Sequence, residues 1–211
     1  MHFALGTNKL SSCLGTAAST LRYIKNGFVD WALAIPSVAF ALYGAHLGTK
    51  LQIALDERYL KYLLLIVLPV VAFVVLNPKI FHDNEAKELI LDRKLYITAI
   101  VSAFVVGIYD GFYGPGTGTF LIIAFTVFAK LDIRTSNAQA KVINLTTNIT
   151  SLVIFLMNGQ AIILLGLAAA VCNMAGNYVG AGLALTKGSK ITRPVIILVL
   201  VLLFLKVLGI L

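Results

Sequence analysis

Charged residues are scarce in this sequence. They make up 12% of its 211 residues, whereas 59% are hydrophobic and the mean hydropathy is +0.93. A soluble domain of this size contains about 25% charged residues, so the composition excludes that class and predicts a polytopic membrane protein. Acids are rarer still, 9 against 17 Lys and Arg, which gives a formal charge of +8. Because Lys and Arg accumulate in the cytoplasmic loops of membrane proteins, this excess predicts no nucleic-acid partner.

Cysteine and targeting signals are also sparse. Cys13 and Cys172 both fall in apolar stretches, with neither metal-ligand spacing nor a disulfide framework. The sequence therefore predicts no metal site and no cofactor. The N-terminus, MHFALGTNKLSS, has no basic region of the kind that opens a cleavable signal peptide. The later apolar spans can serve as their own insertion signals.

Apolar stretches run through the whole chain and predict an all-α, polytopic transmembrane helical bundle. The predicted helices cover residues 4–24, 28–49, 62–76, 95–112, 119–129, 136–157, 160–185 and 192–211. Residues 79–94 form the one long polar connection between them.

One apolar stretch, residues 108–121 with the sequence IYDGFYGPGTGTFL, cannot continue as a single helix. Glycine and proline at this density break a helix, so we expect a broken helix at residues 111–118. Within a bilayer, broken backbone is tolerated only where protein or a water-filled cavity satisfies the freed polar groups. Such breaks form the solute and ion sites of many transporters. The pattern therefore predicts a permease with its site here.

The chain contains a weak internal repeat with an offset of 132 residues. Without gaps, residues 4–51 match residues 136–183 at an intramembrane lysine, an Asn-Gly turn and a GxxxG pair: Lys9/Lys141, Asn26/Asn158, Gly27/Gly159, Gly44/Gly176 and Gly48/Gly180. The sequence thus predicts two repeat halves, 1–78 and 95–211, joined by a cytoplasmic loop, 79–94. The equivalent of residues 108–121 would lie before residue 1, so we expect the first half to be N-terminally incomplete.

Loop charge distinguishes two topologies. If residues 95–129 cross the membrane twice, Lys and Arg divide 12 to 3 between the two sides; if they cross once, the division is 9 to 6. The positive-inside rule favours two passes, which would give the two repeat halves opposite orientations in the membrane.

Two lysines inside predicted spans are the first candidates for a binding site. Lys9 and Lys141 occupy equivalent repeat positions, and an intramembrane lysine costs about 2.5–3.5 kcal/mol on insertion scales. Snorkelling to the interface is the alternative, because both lie near a helix start. Polar neighbours on the same helix faces favour a cavity instead; these are Asn8, Ser12, Asn144 and Asn148.

The broken stretch supplies the other candidates. Asp110 is the only acid well inside an apolar span. It could pair with either lysine, relay protons, or form a purely structural ion pair that stabilises the broken helix. Backbone N–H groups at the start of the second half-helix would form an anion site, or the glycines there could simply permit close packing. The residues concerned are Gly114, Gly116, Thr117, Gly118 and Thr119. No Walker loop is present, because no Gly-Lys-Ser/Thr follows.

At these residues the sequence resembles the sulfite exporter TauE/SafE family of bacterial membrane permeases. The resemblance rests on ALGTNKLSSCLGTAASTLRYIKNGFVDW (4–31), GIYDGFYGPGTGTFL (107–121), AKVINLTTNITSLVIFLMNGQ (140–160) and GNYVGAGLAL (176–185). It implies a multi-pass protein of the bacterial plasma membrane that exports or imports small anions, chiefly sulfur oxyanions and organosulfonates. The resemblance also implies a Gly-rich first span, which we expect to precede the first residue of this chain.

The favoured hypothesis is a secondary transporter for a small anionic solute, embedded in the lipid bilayer; homo-oligomer formation stays open. The alternative is a non-transporting assembly subunit or an inactive truncated transporter. An intramembrane aspartyl protease would need two facing carboxylates. The further candidates for the second one, Asp30 and Asp132, lie at span ends, so the sequence predicts no enzyme.

Overall fold

The computed structural model describes residues 2–54 and 92–207, and within them the chain folds into α-helices without any strand. This confirms the all-α class. The predicted span 62–76 and nearly all of the loop 79–94 lie outside the described residues. The described helices are α1 His2–Lys25, α2 Trp31–Ala54, α3 Arg93–Phe112, α4 Thr117–Ile123, α5 Ile133–Met157, α6 Ile163–Lys187 and α7 Ser189–Val207. A π-helical turn, Ala124–Phe128, continues α4.

Four of these helices, α2, α3, α5 and α6, are long and apolar enough to cross a membrane. Helix α4 with its continuation forms a shorter apolar helix, Thr117–Phe128. Large apolar side chains lie exposed on the outside; Leu164 is 82% and Val171 69% accessible. Apolar exposure of this extent suits a hydrocarbon solvent, where burial inside the protein brings no hydrophobic gain.

Three helices begin at an aspartate that accepts hydrogen bonds from first-turn N–H groups. The Asp30 and Asp92 carboxylates accept from Leu33 and Leu95 at 2.8 and 2.7 Å. The Asp132 carboxylate accepts from two N–H groups at 2.9 and 3.1 Å. These caps satisfy donors that have no intrahelical acceptor and add negative charge at the positive end of the helix dipole.

The two Asn-Gly turns have the same hydrogen bonds. The Asn26 and Asn158 side-chain amides each donate to the carbonyl four residues earlier, at 2.7 and 2.8 Å. Gly27 and Gly159 both have a left-handed φ, +72° and +65°, which glycine adopts without strain. The helices on either side also correspond, because α1 and α2 shifted by 132 residues become 134–157 and 163–186, close to α5 and α6. These matches support the repeat, which stays a prediction.

Glycines allow the backbones of α2 and α3 to come into direct contact. A side chain at Gly44 or Gly48 would collide with the carbonyl of Phe104 or Ile108, and one at Gly111 with that of Ala45. Helix α5 contacts α1, α2, α3 and α4, and α1 packs along α6. The small residues thus allow close van der Waals contact between helices where lipid offers no hydrophobic driving force.

The turn between α3 and α4 is narrower than the predicted break at 111–118, because Gly111 and Gly118 both belong to helices. Gly114 and Gly116 have φ values of +92° and +86°, a conformation that side chains other than glycine rarely adopt. Residues 113–116 therefore form the turn itself.

Candidate functional site

A buried ion pair joins α1 to the end of α3. The Lys9 ammonium donates to Asp110 Oδ2 at 2.7 Å and to the Asp110 carbonyl at 3.0 Å. It also donates to Asn148 Oδ1 on α5 at 3.0 Å. Lys9 and Asp110 are only 3% and 2% exposed, so Lys9 does not snorkel. Of the two lysines considered as partners of Asp110, the structure pairs it with Lys9.

The same aspartate holds the turn between α3 and α4. The Thr117 hydroxyl lies 2.6 Å from Asp110 Oδ1 and 2.6 Å from the Gly114 carbonyl. The Tyr109 hydroxyl donates to the Pro115 carbonyl at 2.5 Å, and its ring packs edge-on against Phe120 with centroids 4.9 Å apart. Hydrogen bonds among Lys9, Asp110 and Thr117 thus satisfy these buried polar groups beside the turn between α3 and α4, as buried charges require.

A cavity of about 520 Å³ opens beside this turn, within the roughly 300–1,000 Å³ range of small-molecule sites. The structure brings all the sequence-predicted site residues to its wall: Asn8, Lys9, Ser12, Asp110, Gly114, Gly116, Thr117, Gly118, Thr119, Lys141, Asn144 and Asn148. They come from α1, the end of α3, the α3–α4 turn, α4 and α5. Their role in binding stays a prediction.

Lys141 has a different environment from Lys9, although the two share a repeat position. Its ammonium donates to Asn177 Oδ1 on α6 at 2.9 Å. Within the described ranges, no carboxylate lies within salt-bridge distance of it. The charged residues among the cavity-lining set are Lys9, Asp110 and Lys141. Because the first two neutralise each other, the described wall carries one uncompensated positive charge.

Asparagines on α6 complete the polar wall, and the sequence analysis missed them. The Asn177 amide nitrogen donates to Asn173 Oδ1 at 2.6 Å, and the Asn173 amide nitrogen donates to Ser11 Oγ at 3.0 Å. Both asparagines line the cavity together with Thr16 and Asn137. The signal that could have found them is their spacing: two amides four residues apart in an otherwise apolar span share one helix face.

Comparisons with known proteins identify the family to which this chain is similar. The model of the family described as "Sulfite exporter TauE/SafE" matches residues 1–207. The "Probable membrane transporter protein YfcA" of Escherichia coli (strain K12) is 30% identical over 199 residues, 93% of this chain and 72% of the relative.

Two further relatives are similar. A "Probable membrane transporter protein" of Haemophilus influenzae is 30% identical over 200 residues, 92% of this chain and 75% of the relative. The "Probable membrane transporter protein ORF9" of Sinorhizobium sp is 28% identical over 206 residues, 97% of this chain and 77% of the relative. No solved structure matches.

Proposed function

Since this chain belongs to the sulfite exporter TauE/SafE family of membrane permeases, we propose that it moves a small anion such as sulfite or an organosulfonate. It is a multi-pass protein of the bacterial inner membrane. The cavity between α1, α4, α5 and α6 is the proposed binding site. We also propose that transport through this cavity is secondary.

The environment of Lys141 is the observation that best supports this proposal. Its ammonium reaches the cavity with the neutral amide of Asn177 as its hydrogen-bond acceptor, 2.9 Å away. A charge in this position, without a carboxylate from the described part of the chain, can be stabilised further by an anion. Sulfite and sulfonates present several oxygens on one small anion, so Lys141 and neighbouring donors can bind them together.

The start of α4 supplies the second set of donors. Gly118 and Thr119 line the cavity and lie in the first turn of the helix Thr117–Phe128. First-turn N–H groups have no intrahelical acceptor, and the helix dipole favours negative charge there. Side-chain amides and a hydroxyl add neutral donors around the anion: Asn8, Ser12 and Asn144.

Lys9 and Asp110 have a positioning role in this proposal. Their ion pair, with Thr117, fixes the turn that presents the α4 amides. Because each charge already has its partner, neither is expected to bind the solute directly.

Ligand-dependent thermal unfolding of the purified full chain tests the proposal. Sulfite or methanesulfonate should raise the unfolding temperature relative to chloride at equal ionic strength, because a ligand at 100 times its Kd stabilises by about 2.7 kcal/mol. Lys141→Met should abolish the response without unfolding the protein, since it removes a charge that has only a neutral partner.

The matched control is Lys187→Met, at the C-terminal end of α6 and outside the cavity; it should respond like the wild type. A full response in Lys141→Met would remove this lysine from the mechanism. No response of the wild-type protein to either anion would refute the proposed site.

A further inference from the structure

A chain of hydrogen bonds runs from the buried Lys9 ammonium along α5. The ammonium donates to Asn148 Oδ1 at 3.0 Å, and the Asn148 amide nitrogen donates to Asn144 Oδ1 at 3.2 Å. Asn144 lines the cavity, and a Cβ added at Gly118 would lie 3.6 Å from its amide nitrogen. Within residues 2–54 and 92–207, this nitrogen has no hydrogen-bond acceptor. Two amides thus link Lys9 to a donor beside the start of α4.

The lysine fixes the direction of this chain. An ammonium group only donates, so Asn148 can bind it through Oδ1 alone. The Asn148 amide nitrogen must then face Asn144, which accepts with its own Oδ1 and points its amide nitrogen away from Asn148. Exchanging the oxygen and nitrogen of either amide would place two donors or two acceptors opposite each other. Lys9 therefore determines that Asn144 presents an N–H group, and not a carbonyl, to the cavity.

Lys141 orders a second pair of amides in the same way. Its ammonium donates to Asn177 Oδ1 at 2.9 Å, and the Asn177 amide nitrogen donates to Asn173 Oδ1 at 2.6 Å. Both carboxylate oxygens of Asp110 have hydrogen-bond partners as well. In the networks of the two lysines, the oxygens of the acid and of the four amides are thus occupied, whereas the Asn144 N–H group remains to donate.

We propose that Asn144 is a specificity-determining residue that selects the protonation state of the solute. This inference rests on the proposed function. The Asn144 amide nitrogen would donate to an oxygen that carries no proton, whereas a hydroxyl there would place two donors opposite each other. A donor left without an acceptor in a partly buried site disfavours binding. Lys9 and Asn148 act on the solute only through Asn144 and are positioning residues.

The preferred solute class follows from this geometry. An anion whose oxygens are all acceptors, such as a sulfonate, should bind better than an anion of equal size and charge that retains a hydroxyl, such as a singly protonated phosphonate. Charge and shape alone do not separate these two classes, so the selection depends on the direction of the amides.

Two anions of the same shape test this selection. Methanesulfonate and the methylphosphonate monoanion have equal charge and similar size, but only the second carries a hydroxyl. Thermal unfolding of the purified full chain is titrated with each, at a mildly acidic pH where methylphosphonate is a monoanion. Half of the maximal shift should need an at least about tenfold lower concentration of methanesulfonate. Equal concentrations for the two anions would overturn the proposal.

Variants of the amide chain should change this preference. Asn144→Leu keeps the approximate size of the side chain but removes the donor, so it should need about tenfold more methanesulfonate and treat the two anions nearly equally. The exchange Asp110→Asn/Asn148→Asp keeps one carboxylate beside Lys9, but a carboxylate only accepts hydrogen bonds. Asn144 must then donate to it and present Oδ1 to the cavity, which should shift the preference towards methylphosphonate by about tenfold. A loss of stability alone would not reverse a preference.

Asn148→Leu keeps the proposal testable if the exchange variant does not fold. Without its partner the Asn144 amide can rotate, so the preference for methanesulfonate should disappear. The control is Thr150→Val, on α5 outside the cavity, where the hydroxyl donates to the Thr146 carbonyl; it should keep the wild-type preference. Thermal unfolding without anions verifies that each variant folds.

The outcomes separate this inference from the proposed function. A wild-type preference in Asn144→Leu or Asn148→Leu would refute the role of the amide chain. A response to both anions without discrimination would refute this inference alone, whereas no response to either would refute the proposed function and the inference with it.

Discussion

The two intramembrane lysines show how one residue type takes different roles within the same cavity. Lys9 makes three hydrogen bonds, two of them to Asp110, and is nearly inaccessible. Lys141 donates to Asn177 and is only partly buried. A charge with a buried counter-charge contributes mainly to the fold, whereas one with a neutral partner can still respond to a solute.

Breaking the buried pair from one side should be severe. Lys9→Met leaves the Asp110 carboxylate buried without its counter-charge, so we expect a loss of about 3–5 kcal/mol in the free energy of unfolding. The double variant Lys9→Met/Asp110→Asn should recover part of this loss, because no buried charge remains. Denaturant unfolding of the purified chain in detergent measures both.

Lys187→Met provides the comparison for a lysine at a helix end, and it should change stability by less than about 0.5 kcal/mol. Equal losses in the Lys9 variant and the Lys9/Asp110 double variant would show that the two charges are not coupled.

At the scale of elements, local chemistry predicted much of the fold. The Asn-Gly turns end α1 and α5 where the sequence placed them, and glycine and proline interrupt the apolar stretch between α3 and α4. These features depend on residues a few positions apart, so the sequence contains the full signal. Helix ends differ from the predictions by a few residues because caps such as Asp132 extend α5 beyond its apolar pattern.

Long-range choices could not be predicted in the same way. Asp110 had two candidate lysines, and the choice of Lys9 joins residues 101 positions apart. Asn173 and Asn177 entered the site only because α1 packs along α6. Helical periodicity gives the face of a residue on its own helix, but not which neighbouring helix that face meets.

Alanine substitutions at equivalent glycines in α2 and α6 should change the stability of the chain in opposite directions. Gly48→Ala places a Cβ against the Ile108 carbonyl, so the helices must separate at a cost of roughly 1–3 kcal/mol. Gly180→Ala adds a Cβ with no described residue within 4 Å and should stabilise the chain by about 0.5–1 kcal/mol, because alanine favours the helix. Thermal and denaturant unfolding of the two purified variants would compare them directly.

Gly44→Ala and Gly176→Ala form a second matched pair and should repeat the contrast. If Gly44→Ala and Gly48→Ala left the free energy of unfolding unchanged, the close contact between α2 and α3 would not contribute to stability.

Within the helices that the structure describes, several basic residues lie at one end of the bundle. The Arg22 guanidinium donates to the Tyr178 carbonyl at 2.8 Å and stacks over that ring. Gly188, at the end of α6, lies near Arg134 at the start of α5. At the opposite end, the Gln160 carbonyl lies against Gly6. The described helices therefore agree with the topology that collects most Lys and Arg on the cytoplasmic side.

Cysteine accessibility in intact cells should reveal this orientation. In a chain with Cys13→Ser and Cys172→Ala, Lys25→Cys and Lys187→Cys should resist a membrane-impermeant maleimide, because both helix ends are expected in the cytoplasm. Lys50→Cys should react, since α2 carries it towards the opposite side. Permeabilised cells should label all three, which controls for burial. Strong labelling at position 25 or 187 in intact cells, with position 50 protected, would reverse the orientation and contradict the positive-inside assignment.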